Sequence, residues 1–120
     1  MAKTGVTLGA VWRMGAELPG VEKSAAWGSP ALKVKGHGGR MEIVVCVPVN
    51  KAAEPGSLMF RVKREERTAL LSEAPEIYYA PEHYLPHGDV LVRLAQLTPE
   101  LARDLLAMSY QFVTGKRAGR

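Results

Sequence analysis

Residues 27–47 carry two short apolar segments joined by a glycine-rich reversal, and a chain holding such a pair has to build a sheet. Trp27, Gly28 and Ser29 read as a turn. Pro30 cannot donate a ladder hydrogen bond, so it suits the first residue of a strand. Period-two alternation then puts Leu32 and Val34 on one face and Lys33 and Lys35 on the other. Gly36, Gly38 and Gly39 supply the positive φ angles that a tight reversal needs, with Arg40 at its exit. Residues 41–47 are dense in β-branched side chains and too short for a helix, so they read as the returning strand.

The other elements follow from caps and periodicity. Thr7 starts a helix in which Leu8, Val11, Trp12, Gly15 and Leu18 recur at helical spacing before Pro19 and Gly20 end it. Trp12 is expected in the core, and Gly15 permits a close approach to the sheet. After Pro48 and a loop over 50–57, residues 58–62 form a third strand. Its alternation sets Leu58, Phe60 and Val62 against Met59, Arg61 and Lys63. A helix runs from Lys63 or Arg64 to Glu73 with Leu70 and Leu71 buried, and Pro75 marks its end. Residues 77–80 and 90–94 read as strands around a polar, aromatic loop. Thr98, Pro99 and Glu100 give the clearest helix start, and Leu101, Leu105, Met108 and Phe112 make an apolar stripe ending near Val113.

The order helix, three strands, helix, two strands, helix predicts an α+β domain with an antiparallel sheet of about five strands and helices packed on one face. The opposite face is expected to be open, with Lys33, Lys35, Arg61 and Arg93 beside Glu42, Val44, Cys46 and Met59. Residues 1–113 are read as one domain and 114–120 as a basic tail. At 120 residues the chain can bury a core without metal or disulfide staples. A single cysteine, Cys46, excludes an internal disulfide or a CxxC site and suits a reducing cytoplasm. No apolar run approaches the ~20 residues that span a bilayer, so a soluble protein is expected.

The net charge of +4 is unevenly spread. Lys116, Arg117 and Arg120 sit in the tail. Residues 23–67 hold nine basic side chains against four acidic ones, whereas 68–115 hold two against six. Such polarity suits an anionic ligand, and it also lets two copies attract one another as a homo-oligomer. Lys33, Lys35 and Arg40 on the hairpin, Lys51 on the next loop and Arg61 on an adjoining strand are the candidate contacts to the phosphates of double-stranded DNA. The bland alternative is a solvated sheet whose lysines discourage edge pairing. No array of Arg or Asn suited to reading bases stands on a helix, so binding would be salt-sensitive and weakly specific.

Other constellations are weaker. Trp27, Tyr79, His83 and Tyr84 could line an aromatic pocket for a small molecule or a substrate, the reading that rivals DNA binding. Glu82, His83, His87 and Asp89 lie close in sequence, but Pro86 breaks the helix that would align the histidines and the spacing matches no strong zinc pattern; no metal is expected. Cys46, in mid-strand, reads as inert. Lys63, Arg64 and Arg67 are expected to pair with Glu65 and Glu66 at the surface. No catalytic constellation emerges, so the expectation is a non-enzymatic binding protein without a cofactor.

Taken together, several segments resemble the MmcQ/YjbR-like family. They are Leu18, Pro19, Gly20, Val21 and Glu22; the run 27–34; Arg64, Glu65, Glu66 and Arg67 before Leu70 and Leu71; His83 and Tyr84; and Val90, Leu91, Val92, Arg93 and Leu94. The resemblance extends from residue 7 to about residue 113. It implies a CyaY-like α+β fold and the double-wing DNA-binding role proposed for that family. Two positions depart from the family pattern: Asp89 replaces an aromatic residue before the last strand, and a longer loop, 48–57, replaces a compact hairpin. Both read as changes in exposed loops that leave the fold intact.

Overall fold

The computed structural model describes residues 5–116, apart from the side chains of His83 and His87. In chain order it contains α1 (Leu8–Ala16), β1 (Glu22–Ala26), β2 (Ser29–Lys35), β3 (Met41–Cys46), β4 (Ser57–Arg61), α2 (Arg64–Glu73), β5 (Tyr78–Tyr79), β6 (Asp89–Arg93) and α3 (Pro99–Thr114). Two 3-10 helices, Glu82–His87 and Leu94–Gln96, flank β6. The expected α+β class holds, with all pairings antiparallel in the order β1-β2-β3-β4-β6-β5.

The sheet has six strands rather than five. The extra one is β1, whose Glu22, Lys23, Ser24, Ala25 and Ala26 include no β-branched residue. It is an edge strand with all but Ala26 exposed, so neither propensity nor alternation marks it; pairing with β2 from Glu22↔Lys33 to Ala26↔Ser29 creates it.

The helix caps form as the sequence predicts. The Thr7 hydroxyl accepts from the Ala10 N–H at 3.0 Å, and the Thr98 hydroxyl accepts from the Leu101 N–H at 3.2 Å. Gly115 ends α3 with φ +76. Helices α1 and α3 pack on one sheet face over Leu32, Leu58, Phe60, Val90 and Val92, with Val11, Leu105 and Leu106 facing them. Gly15 touches this face so closely that a Cβ there would overlap the Leu32 side chain.

The buried side of α3 differs from the predicted stripe. Ala102, Leu105, Leu106, Ser109, Tyr110 and Val113 face inward, while Phe112 is 37% exposed. Two polar residues explain the offset, because each is buried through a specific bond. Ser109 Oγ donates to the Val44 carbonyl at 2.7 Å, and the Tyr110 hydroxyl donates to the Pro19 carbonyl at 2.8 Å.

The second sheet face is covered, contrary to expectation. Ala26, Ala31, Cys46, Met59, Tyr84 and Leu91 form a smaller core there, with Ile43, Ala53 and Tyr79 packed around it. The register between β2 and β3 shifts between Leu32 and Lys33. This bulge turns Val44 into the helix-side core instead of leaving it beside Lys33.

Arg67 holds that cover in place. It is 7% exposed; its Nη1 donates to the carbonyls of Tyr84 and Asp89, both at 3.3 Å, and its Nη2 to that of Leu85 at 3.0 Å. The expected surface ion pair of Arg67 is therefore replaced by backbone carbonyls, which need a donor that reaches several oxygens at once. Leu70 and Leu71 are only half-buried, and Arg67 is the buried residue of α2. Among the described residues, no helix is long and apolar enough to cross a membrane.

Candidate functional site

The β2–β3 hairpin closes through Gly36 N–H to Arg40 C=O at 2.7 Å and Gly39 N–H to Gly36 C=O at 3.0 Å, with Gly39 at φ +86. Its tip is docked, because the His37 N–H donates to the Val113 carbonyl at 3.1 Å at the end of α3. Between tip and helix lies an open groove of about 690 Å³ lined by Lys35, His37 and Lys116 together with Pro19, Tyr110 and Thr114. Lys35, Arg40 and Lys116 are exposed, and Lys33 is half-buried opposite Glu22. Among the described residues none of these four cations is in an ion pair.

The remaining predicted phosphate contacts do not join them. Residues 36–40 and 47–56 connect to opposite ends of β3, so Lys51 is placed away from Arg40 by the antiparallel topology. Arg61 is neutralised: its Nε donates to Asp89 Oδ1 at 3.0 Å, and its Nη1 lies 3.8 Å from Glu42 Oε1. Asp89 is 3% exposed and paired, not a change in an exposed loop. Arg93 is also occupied, with Nε and Nη2 bonded to the Glu54 carboxylate at 2.9 and 2.8 Å and its guanidinium 4.3 Å above the Tyr79 ring. That bidentate pair holds the Glu54 carboxyl below its ordinary value and raises Arg93.

The aromatic residues separate into two groups. Trp27 and Tyr84 meet at a cleft of about 430 Å³ whose other walls are Pro48, Val49, Asn50, Met59, Arg61 and Asp89. Tyr79 lies outside this lining. Its hydroxyl accepts from the Glu54 N–H at 2.7 Å and sits 2.6 Å from Ser57 Oγ, so it clamps the 47–56 loop. The side chain of His83, predicted as a fourth pocket residue, lies outside the described residues, as does that of His87. Among the described residues no three His, Cys, Asp or Glu side chains group as metal ligands.

Trp27 is 68% exposed and has φ +53, alone among the described non-glycine residues in having a positive φ. With Gly28 at φ +78 it forms the two-residue turn between the paired Ala26 and Ser29. Type I′ hairpin turns require this backbone and favour Asn or Asp at the first position; a bulky aromatic there is strained. Beneath it, burial raises the Tyr84 phenol, partly offset by a hydrogen bond from the Asn50 backbone. Burial, followed by the Asp89 charge, pushes the Cys46 thiol up to about 11, against a smaller opposing effect of Arg61. Cys46 is thus a protonated core residue, fully buried at the last position of β3 rather than in mid-strand.

Sequence reasoning missed Met59 and Asn50 as cleft residues, and Lys116 as a neighbour of the hairpin. Alternation already places Met59 with Arg61, but nothing local shows that the loop after β3 folds back over that face. The meeting of residues 35–37 with 113–116 spans most of the chain and has no sequence signal.

Comparison with known proteins gives a consistent placement. The family model described as YjbR matches residues 16–112. Among solved structures, the crystal structure of Deinococcus radiodurans protein DR2400, with family-model domain DUF419, is similar. It has a TM-score of 0.73 and 22% identity, over 97% of this chain and 84% of that one. No curated protein matches.

Proposed function

The chain belongs to the YjbR family, and on that premise we propose that it is a non-enzymatic DNA-binding protein of the cytoplasm. It grips the phosphate backbone of double-stranded DNA with its β2–β3 hairpin and the adjoining end of α3. The observation that carries this reading is that Lys35 and Lys116 line one open groove and the exposed Arg40 stands at the exit of the same hairpin, with no ion pair for any of the three among the described residues. Cations that are already exposed and unpaired are not stripped from an acidic partner when they meet a phosphate. Lys33 extends the patch along β2, whereas Arg61 and Lys51 do not belong to it. Contacts of this kind fix position without reading bases, and affinity in the range of about 10⁻⁴–10⁻⁶ M is expected.

The test is fluorescence anisotropy with a labelled duplex across a salt series. Three phosphate contacts give a log–log salt slope of about −3. Replacing Lys35, Arg40 and Lys116 together by Ala should remove most binding, while Lys51→Ala should leave it unchanged. Absence of binding at low salt, or equal binding by the triple variant, would overturn the reading. A second reading, a small-molecule site, is favoured by one observation: the exposed, positive-φ Trp27 stands at the mouth of a cleft floored by Met59 and Tyr84.

A further inference from the structure

We propose that the cleft beneath Trp27 binds a 6-oxopurine ring, the base of guanosine, as a site separate from the basic hairpin groove. At about 430 Å³ it falls within the range of small-ligand pockets and has the mixed lining such pockets show. Trp27 and Tyr84 offer flat aromatic surface, and Met59 a polarizable thioether that packs well against rings. Those walls select a planar ligand.

The polar wall narrows the choice. Arg61 lines the cleft, yet its charge is met by Asp89 at 3.0 Å and Glu42 at 3.8 Å, so the site has no excess positive charge to hold a free anion. The carboxylate on the cleft wall, Asp89, is 3% exposed and held by Arg61, and Glu42 lies outside the lining, so the cleft presents no open carboxylate to a cation. A neutral ligand remains. Among the described residues Arg61 hydrogen-bonds only through Nε; Nη1 faces Glu42 at 3.8 Å, longer than a hydrogen bond, and Nη2 carries no such contact, so the amino end of the guanidinium can still donate to a ligand. Two donors from one guanidinium match the O6 and N7 acceptors on a guanine edge, whereas adenine presents an amino group in place of O6. The Asn50 side-chain oxygen is committed to the Ala52 N–H at 2.8 Å, which fixes that residue on the rim.

The backbone at Trp27 supports a binding role. A two-residue turn with both φ angles positive is better served by Asn followed by Gly, so turn formation does not account for an exposed indole at that position. Stacking on a base does. Strain held at an exposed aromatic residue beside a cleft is where function, rather than folding, explains the residue.

The experiment uses the full chain with Trp12→Phe, which leaves Trp27 as the sole indole. Guanosine, adenosine and a short guanine-containing single-stranded oligonucleotide are titrated while Trp27 emission is followed. Saturable quenching by guanosine, with adenosine weaker by about tenfold or more, is expected. Saturation by guanosine identifies the free nucleoside as sufficient, and saturation by the oligonucleotide alone identifies a base presented by a strand. Calorimetry on Trp27→Asn, whose turn should fold at least as well, should show binding lost with an unchanged melting temperature. Trp27→Phe should retain weakened binding. No saturation by either ligand, equal response to guanosine and adenosine, or binding that survives Trp27→Asn would overturn the proposal. The Lys35, Arg40 and Lys116 triple variant should keep guanosine binding, so the two functional readings fail independently.

Discussion

Arg61 and Asp89 occupy directly paired positions of β4 and β6, and their side chains meet at 3.0 Å over a largely buried carboxylate. The pair joins the two strands at the edge of the second core, beside Cys46. Breaking one side of such a pair costs more than the pair contributes, because it weakens the solvation of the remaining charge. Arg61→Ala is therefore expected to lower unfolding free energy by about 2 kcal/mol, below the ~3–5 kcal/mol of a fully buried pair since Arg61 is partly exposed. Urea denaturation measures it. The same substitution should leave duplex affinity unaltered in the folded protein.

Arg67 gives a larger effect from a single side chain. Its three bonds to the carbonyls of Tyr84, Leu85 and Asp89 tie the Glu82–His87 segment to α2. Arg67→Met keeps much of the packing but removes every donor, and a destabilisation of about 3 kcal/mol is expected. A loss under about 1 kcal/mol by denaturant titration would mean that the carbonyls find other partners readily.

Cys46 provides a pH dependence with a definite sign. Its folded value, about 11, lies above the ordinary 9.0, so the folded state holds the thiol proton more tightly than the unfolded chain. Its stabilising contribution is complete below pH 9.0 and is lost as pH rises through about 11. The raised Tyr78 and Tyr84 phenols act in the same direction above their ordinary 10.0, so a reference variant is needed. Stability curves of the parent and Cys46→Ala should converge as pH rises across that window; parallel curves would show that the thiol is not responsible.

Gly15 sets two effects against each other. Alanine gains about 1 kcal/mol of helix propensity, but its methyl group would overlap Leu32, which is fully buried. Overpacking of about 1–3 kcal/mol should win, so Gly15→Ala is expected to lower the melting temperature. Leu32→Val should make the alanine cheaper, giving a double variant less destabilised than the sum of the single changes.

Much of the architecture was legible in local chemistry. Thr7 and Thr98 mark helix starts through hydroxyls that do cap N–H groups, and the Leu58, Phe60, Val62 alternation does face the helices. The Trp27 and Tyr84 pairing at a pocket was also readable as an aromatic grouping, although Tyr79 proved to be a loop clamp. The expectation of an open basic face failed because the cover is made by Tyr84 and the loop after β3, which reach that face only in three dimensions.

What the sequence determined by itself is whatever depends on neighbours a few residues apart: caps, the glycine reversal at 36–40, the period-two faces and the α+β order. The tertiary structure decided which charges are available. Arg61, Arg67 and Arg93 look in sequence like Lys35 and Arg40, yet the first three are spent on Asp89, on backbone carbonyls and on Glu54. A charge's usefulness to a ligand depends on what lies within a few ångströms of it, and in this chain the deciding partners are 17 to 39 residues away.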